Sequence, residues 1–255
     1  MRDGAAELDF HAALWLLERR SDLGPVIELL RGLYGIVEDW HARRLLRNLE
    51  KKEKVEIRKT GRRNSYRAAS PFVLDDVVAV KRERQAAGWD GRWCLLTYDL
   101  PRSAGPLRKR LIRSMRRVGM GRLNESTWAS PYDWSEWVRA EVSGDGGVGH
   151  VDWIRDAEVD FHRPLDGAIG HMWPLGDVAA RYRNLQSRAA ALAGSSLNAA
   201  RRGEALRLVQ EWARVEAADP MLPRELLPGD WPAEDVRDSL QALRRAVSQS
   251  LAAGV

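Results

Sequence analysis

The chain has 255 residues, 44% of them hydrophobic and 30% charged, with a net charge of +5, a length that suits one large domain or two to three small ones. That composition excludes a disordered chain, no apolar run reaches the ~18–20 residues of a membrane span, and the single Cys94 excludes an intramolecular disulfide and a cysteine-based zinc site. The first residues, MRDGAAELDF, lack the apolar core and cleavage site of a signal peptide, so a cytoplasmic protein with no membrane partner is expected.

Residues 11–20, HAALWLLERR, have the spacing of a short amphipathic helix, which Ser21 and Asp22 break. Residues 24–35 predict a second helix, with Pro25 in its first turn and Gly35 as its stop. A third runs from about residue 38 to 52. At 100° per residue, Arg44, Arg47 and Lys51 fall within about 40° of Trp40, and Arg43 within about 60°. Ala42, Leu45, Leu46 and Leu49 gather on the opposite side. Residues 55–59 then alternate, Thr60 and Gly61 make a turn, and residues 65–69 return as a second strand carrying Tyr66. Three helices and a hairpin in this order predict a winged helix-turn-helix, with the third helix in the major groove of DNA and the hairpin tip on the neighbouring backbone.

The charge supports that placement. Residues 41–67 contain eleven Lys or Arg against three Glu, so this segment carries +8 and the rest of the chain −3. Arg58, Lys59, Arg62 and Arg63 are expected on phosphates, where arginine binds bidentately and each cation releases counterions. Base reading is expected from Trp40, Arg43, Arg44 or Arg47, with Lys51 on the same face. Trp40 has a second reading, preferred here, as a cover for the core. Asn64 is either a contact or a turn residue. The third helix has no Ser or Thr at its start; Glu38 and Asp39 complement its dipole instead.

Residues 75–87 predict a linking helix ended by Gly88, and residues 92–100 a strand that stops at Pro101. Residues 105–118 predict a helix with Leu107, Leu111, Met115 and Val118 along one side. Residues 125–130 and 150–161 predict two more strands, and Met172 with Trp173 begins another before a helix from 175 or 176. This alternation suggests a small ferredoxin-like α+β sandwich. Eight cations from Arg102 to Arg122 occur without an acid between them. They form either a polyphosphate or second nucleic-acid site, or a solvated face opposite Leu107, Leu111 and Met115. The stretch GDGGVGH at 144–150 has neither P-loop nor Rossmann spacing and reads as a flexible loop. His162 and His171, near Asp160 and Asp166, match no metal-site spacing, so no metal or cofactor is expected. No nucleophile elbow is present, and no catalytic residue is assigned.

The rest reads as helical: a helix from 177, a break at 194–196, a helix over 204–217, an extended stretch over 219–232 and a last helix over 233–251. Leu222, Leu226 and Leu227 require that the extended stretch lie against a surface. A two-fold operator calls for a homodimer, with its interface expected in these helices. The expected architecture is α+β: a winged helix-turn-helix over 1–70, a linker helix over 71–90, a central ferredoxin-like domain over 91–180 and a helical C-terminal domain over 181–255.

The stretch WDGRWCLLTYDLP, followed by RKRLIRSMRRVGMGRLNESTWASP, resembles the central domain of the PaaX family, the phenylacetic-acid-degradation repressors. MWPLGDVAARYRNL is similar to the family's lead into its C-terminal helices. WARVEAADPMLPRELLPGDWPAED is similar to its C-terminal signature, carried here by Asp219 with Pro220, Leu222 with Pro223, Leu226 and Leu227 with Pro228, and Asp230, Trp231 and Pro232. The wing RKTGRRNSYR also fits. The resemblance implies a dimeric transcriptional repressor on a double-stranded operator, released by an aromatic acyl-coenzyme A such as phenylacetyl-CoA. This chain departs from the family at Glu53 and Lys54, where a Gly-Trp-type turn usually ends the recognition helix. The central stretch is also similar to the small CRISPR adaptation nuclease, through Tyr98, Asp99 and Leu100 at a strand end. On that alternative Asp99 is the residue implied in metal-dependent cleavage, although such a site usually gathers several carboxylates.

Overall fold

In the computed structural model the described residues are 3–17, 21–34, 37–61, 63–69, 76–101, 103–143 and 150–252. Two compact units appear: Met1–Leu74 with Ala179–Val215 and Pro232–Val255, and Asp75–Val178 with Glu216–Trp231. No described helix is long and apolar enough to cross a membrane.

The first unit begins with helices α1 (Asp3–Leu16), α2 (Leu23–Tyr34) and α3 (Asp39–Lys51), followed by strands β1 (Val55–Thr60) and β2 (Arg63–Ala68). Helix α1 starts eight residues earlier than the apolar spacing of residues 11–20 predicts. The strands pair antiparallel from Val55 with Ala68 to Thr60 with Arg63, with Gly61 at φ +60° in the connection. Glycine meets that left-handed backbone without steric cost. Ser21, between α1 and α2, exchanges two backbone hydrogen bonds with Tyr66 of β2, at 2.8 and 2.7 Å. What looks like a simple helix break is therefore a third strand position against the hairpin.

The helices α8 (Leu175–Ala193), α9 (Ala199–Ala218) and α10 (Ala233–Ala252) were expected to form a domain of their own. Most of their length instead clusters with the N-terminal helices. Trp15 and Trp212 meet at 5.5 Å, the Arg244 guanidinium lies 4.8 Å over Trp15, and the Ser248 hydroxyl donates to the Leu17 carbonyl at 2.9 Å. Arg202, only 6% exposed, pairs with Glu28 at 3.4 Å.

The second unit contains α4 (Val77–Ala87), β3 (Trp93–Tyr98), α5 (Gly105–Val118), β4 (Gly121–Arg122), β5 (Thr127–Ser130), α6 (Ser135–Val142), β6 (Val151–Ala157) and α7 (Leu165–Met172). From β3 to β6 the chain runs β-α-β-β-α-β, and the antiparallel sheet has the order β4-β5-β3-β6. Leu96, Tyr98, Leu111, Met115, Trp128, Trp134 and Val138 form its core. The strand expected at Met172 and Trp173 is not there: Met172 ends α7 and Trp173 is one extended residue. Its indole N–H donates to the Gly119 carbonyl at 2.9 Å. The strand expected over 150–161 stops at Ala157.

The stretch after α9 is irregular because Pro220, Pro223 and Pro228 cannot donate to a ladder. Leu222 and Leu226 are buried, so its carbonyls need donors. Side chains supply them. Lys81, fully buried, donates to the carbonyls of Ala217 at 3.1 Å and Asp219 at 2.5 Å. Gln85, one turn further along α4, donates to Leu222 at 2.7 Å, and the Tyr132 hydroxyl to Met221 at 3.1 Å. The Asp219 carboxylate accepts the Met221 N–H at 2.7 Å. Gly119 is shaped for the same contact: with φ +88°, a Cβ there would lie 2.9 Å from Pro220. Burial pushes the Cys94 thiol up to about 12, so it is an inert core residue at neutral pH.

Candidate nucleic-acid interface

Helix α3 is divided lengthwise. Ala42, Leu45, Leu46 and Leu49 are buried, whereas Trp40, Arg43, Arg44, Arg47 and Lys51 are exposed on the other side. The expectation that Trp40 covers the core is overturned: it is 65% exposed. Its ring supports Arg44, whose guanidinium carbon lies 5.9 Å from the ring centroid, close enough for a cation–π contact. Arg43 reaches back to Asp39 at 3.7 Å. Glu38 occupies the N-cap in extended backbone and makes no side-chain cap hydrogen bond. The helix is fixed to α1 by Glu7, which pairs with Lys52 and accepts from Asn48 at 3.3 Å.

The hairpin places Arg58, Lys59, Arg63 and Asn64 within the last pairs of the ladder: Arg58 faces Ser65, Lys59 faces Asn64, and Thr60 faces Arg63. Arg58, Lys59 and Arg63 are exposed, and Asn64 is half-buried within β2. Arg62 lies outside the described residues. Nearer the base, Glu56 and Arg67 form a cross-strand ion pair at 2.9 Å. The cations thus concentrate at the far end, where the strands carry no acid.

The turn from α3 into β1 passes through Glu53. Its φ is +56°, the left-handed region, and its N–H donates to the Glu50 carbonyl at 2.9 Å. A side chain there costs about 1–2 kcal/mol, which glycine avoids. Glu53→Gly should therefore raise stability by about 0.5–1 kcal/mol after the extra chain entropy of glycine is counted. A urea midpoint at or below that of the wild type would contradict this.

The second basic run is partly occupied. Arg108 donates to the Leu100 carbonyl at 2.7 Å, Arg117 pairs with Glu141 at 2.7 Å, and Arg122 donates to the Asn124 carbonyl at 3.0 Å. Lys109, Arg113 and Arg116 are exposed along α5, and Arg102 lies outside the described residues. Of the glycine-rich stretch, only His150 is described. Asp99 is exposed after β3, and its N–H donates to the His150 carbonyl. Among the described residues, no three His, Cys, Asp or Glu side chains are grouped to share a cation. His162 instead lies against Arg163 at 2.8 Å. Nothing in this arrangement supports the nuclease alternative.

The first unit carries a basic helix face and a cationic hairpin, and the second an antiparallel four-stranded sheet, an arrangement compatible with an α+β protein. Residues 86–166 match the family model of the PaaX protein central Cas2-like domain, and residues 173–253 that of the PaaX-like protein C-terminal domain. The chain belongs to the PaaX-like family. No curated protein matches it. Among solved structures it is similar to an uncharacterized protein, Rv0674, from Mycobacterium tuberculosis, at 19% identity, with 95% of each chain covered and a TM-score of 0.58. That likeness concerns the fold alone.

Proposed function

We propose that the protein is a sequence-specific transcriptional regulator, a dimeric repressor that holds a double-stranded operator and lets go when a small effector such as an aromatic acyl-coenzyme A binds. The observation that carries this reading is the lengthwise division of α3, with its exposed Trp40, Arg44 and Arg47, followed directly by a hairpin whose cations lie at the tip. In this reading α1–α3, the Ser21 bridge and the hairpin form a winged helix, and the β-α-β-β-α-β sheet is ferredoxin-like. Arg44 and Arg47 read guanine edges in the major groove, where the guanidinium fork matches O6 and N7. Arg43, Lys51, Arg58, Lys59, Arg62 and Arg63 hold phosphates and set the register. The effector acts by linkage: it must bind the released state more tightly than the DNA-bound state.

Selection of bound fragments from the whole genome tests this. A recurring palindrome, with Arg44→Ala losing preference for it, is the expected result; binding without sequence preference would overturn the operator model. The wing has its own signature. Lys59→Ala combined with Arg63→Ala should weaken binding to every fragment alike and reduce the salt slope by about 2, since each phosphate contact contributes about 0.9. An unchanged slope would remove the tip from the interface.

A further inference from the structure

The first unit contains a cleft of about 530 Å³ lined by Asp9 of α1, Tyr34 at the end of α2, Arg188 of α8, and Arg207, Gln210, Glu211 and Arg214 of α9. Its size lies within the range of about 300–1,000 Å³ usual for small-molecule sites. Arg207 and Arg214 are seven residues apart on one face of α9. Arg188 is held in place by Glu211 at 2.8 Å and Asn184 at 3.2 Å, so its guanidinium is oriented before any ligand arrives. Gln210, itself buried, donates to Asp9. With Glu211 matched to Arg188, two guanidiniums face one carboxyl. That carboxyl is Asp9, which burial pushes up to about 6 against the opposing pull of the Gln210 hydrogen bond and the Arg214 charge, so at pH 7.5 it is ionised and offsets one of the two guanidiniums. The cleft is thus an open site with surplus positive charge, three guanidiniums from two helices against the carboxyls of Asp9 and Glu211.

We propose that this cleft binds a small metabolite carrying an oxyanion, phosphate or carboxylate, and that its occupancy is passed to the DNA-reading helix. Two connections carry it. Tyr34 is the last residue of α2, and Glu38, four residues on, is the N-cap of α3. Asp9 is two residues from Glu7, which holds Lys52 and Asn48 at the other end of α3. A ligand that moves either wall of the cleft therefore acts on an end of α3. The regulatory half rests on the operator reading; the binding half does not.

Titration calorimetry of the full chain with inorganic pyrophosphate, and in a second arm with citrate, tests the binding half. Saturable binding is expected in at least one arm, and the stronger arm identifies a phosphate or a carboxylate carrier. Arg207→Glu with Arg214→Glu should weaken it at least about tenfold, because charge-assisted arginine–oxyanion contacts are removed and reversed. Asp9→Asn should tighten it several-fold at pH 7.5 by removing the competing carboxylate. Arg139→Glu on α6, an exposed position outside both basic runs, serves as the control and should leave it unchanged. Absence of binding in both arms, wild-type binding by the natively folded double variant, or an equal loss with Arg139→Glu would overturn the site. The best probe should then change the affinity for the selected fragment in the wild type but not in the double variant. An unchanged fragment affinity would overturn the regulatory half. Since the anion is titrated without DNA, failure here leaves the operator reading standing, and failure to select an operator leaves the cleft standing.

Discussion

Replacing Arg44 and Arg47 together by Glu is expected to reduce affinity for the selected operator by more than about 100-fold. Each arginine that forks onto a guanine contributes about 1–3 kcal/mol of base discrimination, so the pair accounts for about 2–6 kcal/mol, and reversal adds repulsion from the phosphates. Arg44 is the better aimed of the two, because Trp40 holds its guanidinium against a ring and less freedom is lost on docking. Both side chains are exposed, on the side of α3 away from Ala42, Leu45, Leu46 and Leu49, so the thermal midpoint should hardly move. Fluorescence anisotropy of a labelled operator fragment reads the loss. A decrease under threefold in a folded double variant would place the reading surface elsewhere.

The second large effect concerns folding. Lys81→Met keeps the apolar stem in its fully buried place but removes the amine that serves the Ala217 and Asp219 carbonyls. Each abandoned buried acceptor costs about 1–3 kcal/mol, and breaking a buried charge-assisted contact reaches about 3–5 kcal/mol. We expect a loss of about 3 kcal/mol, a large share of the usual 5–15 kcal/mol of a domain. Urea unfolding followed by tryptophan emission should show a lower midpoint with an unchanged slope. A loss below about 1 kcal/mol would mean that water takes over the acceptors. The side-chain donors around Asp219 thus meet a physical requirement: a proline-interrupted segment can be buried only where side chains serve its carbonyls.

What the sequence discloses depends on the range of the interaction. Helix α5 ends where Val118 and Gly119 predict, and α3 splits as its 3.6-residue period requires, because both follow from residues three and four apart. On that wheel Trp40 already lay opposite the leucines; exposure followed the angle, not the general tendency of tryptophan to be covered. Helices α6 and α7 escaped notice at eight residues each, too short for a period, and β4 has only two residues. The Ser21 bridge is one residue pair with no pattern at all. The joining of α9 to α1 rests on partners such as Asp9 and Gln210, 201 positions apart, so local spacing shows neither the shared unit nor the cleft.

Trp40 has a consequence of another kind. The eleven tryptophans all lie among the described residues, and of these Trp40 alone is exposed, on the face proposed to meet DNA. The other ten are wholly or partly sheltered within the two units. The molecule therefore carries its own optical probe: the indole most open to a dissolved quencher is also the one a bound duplex would shield, with no dye attached.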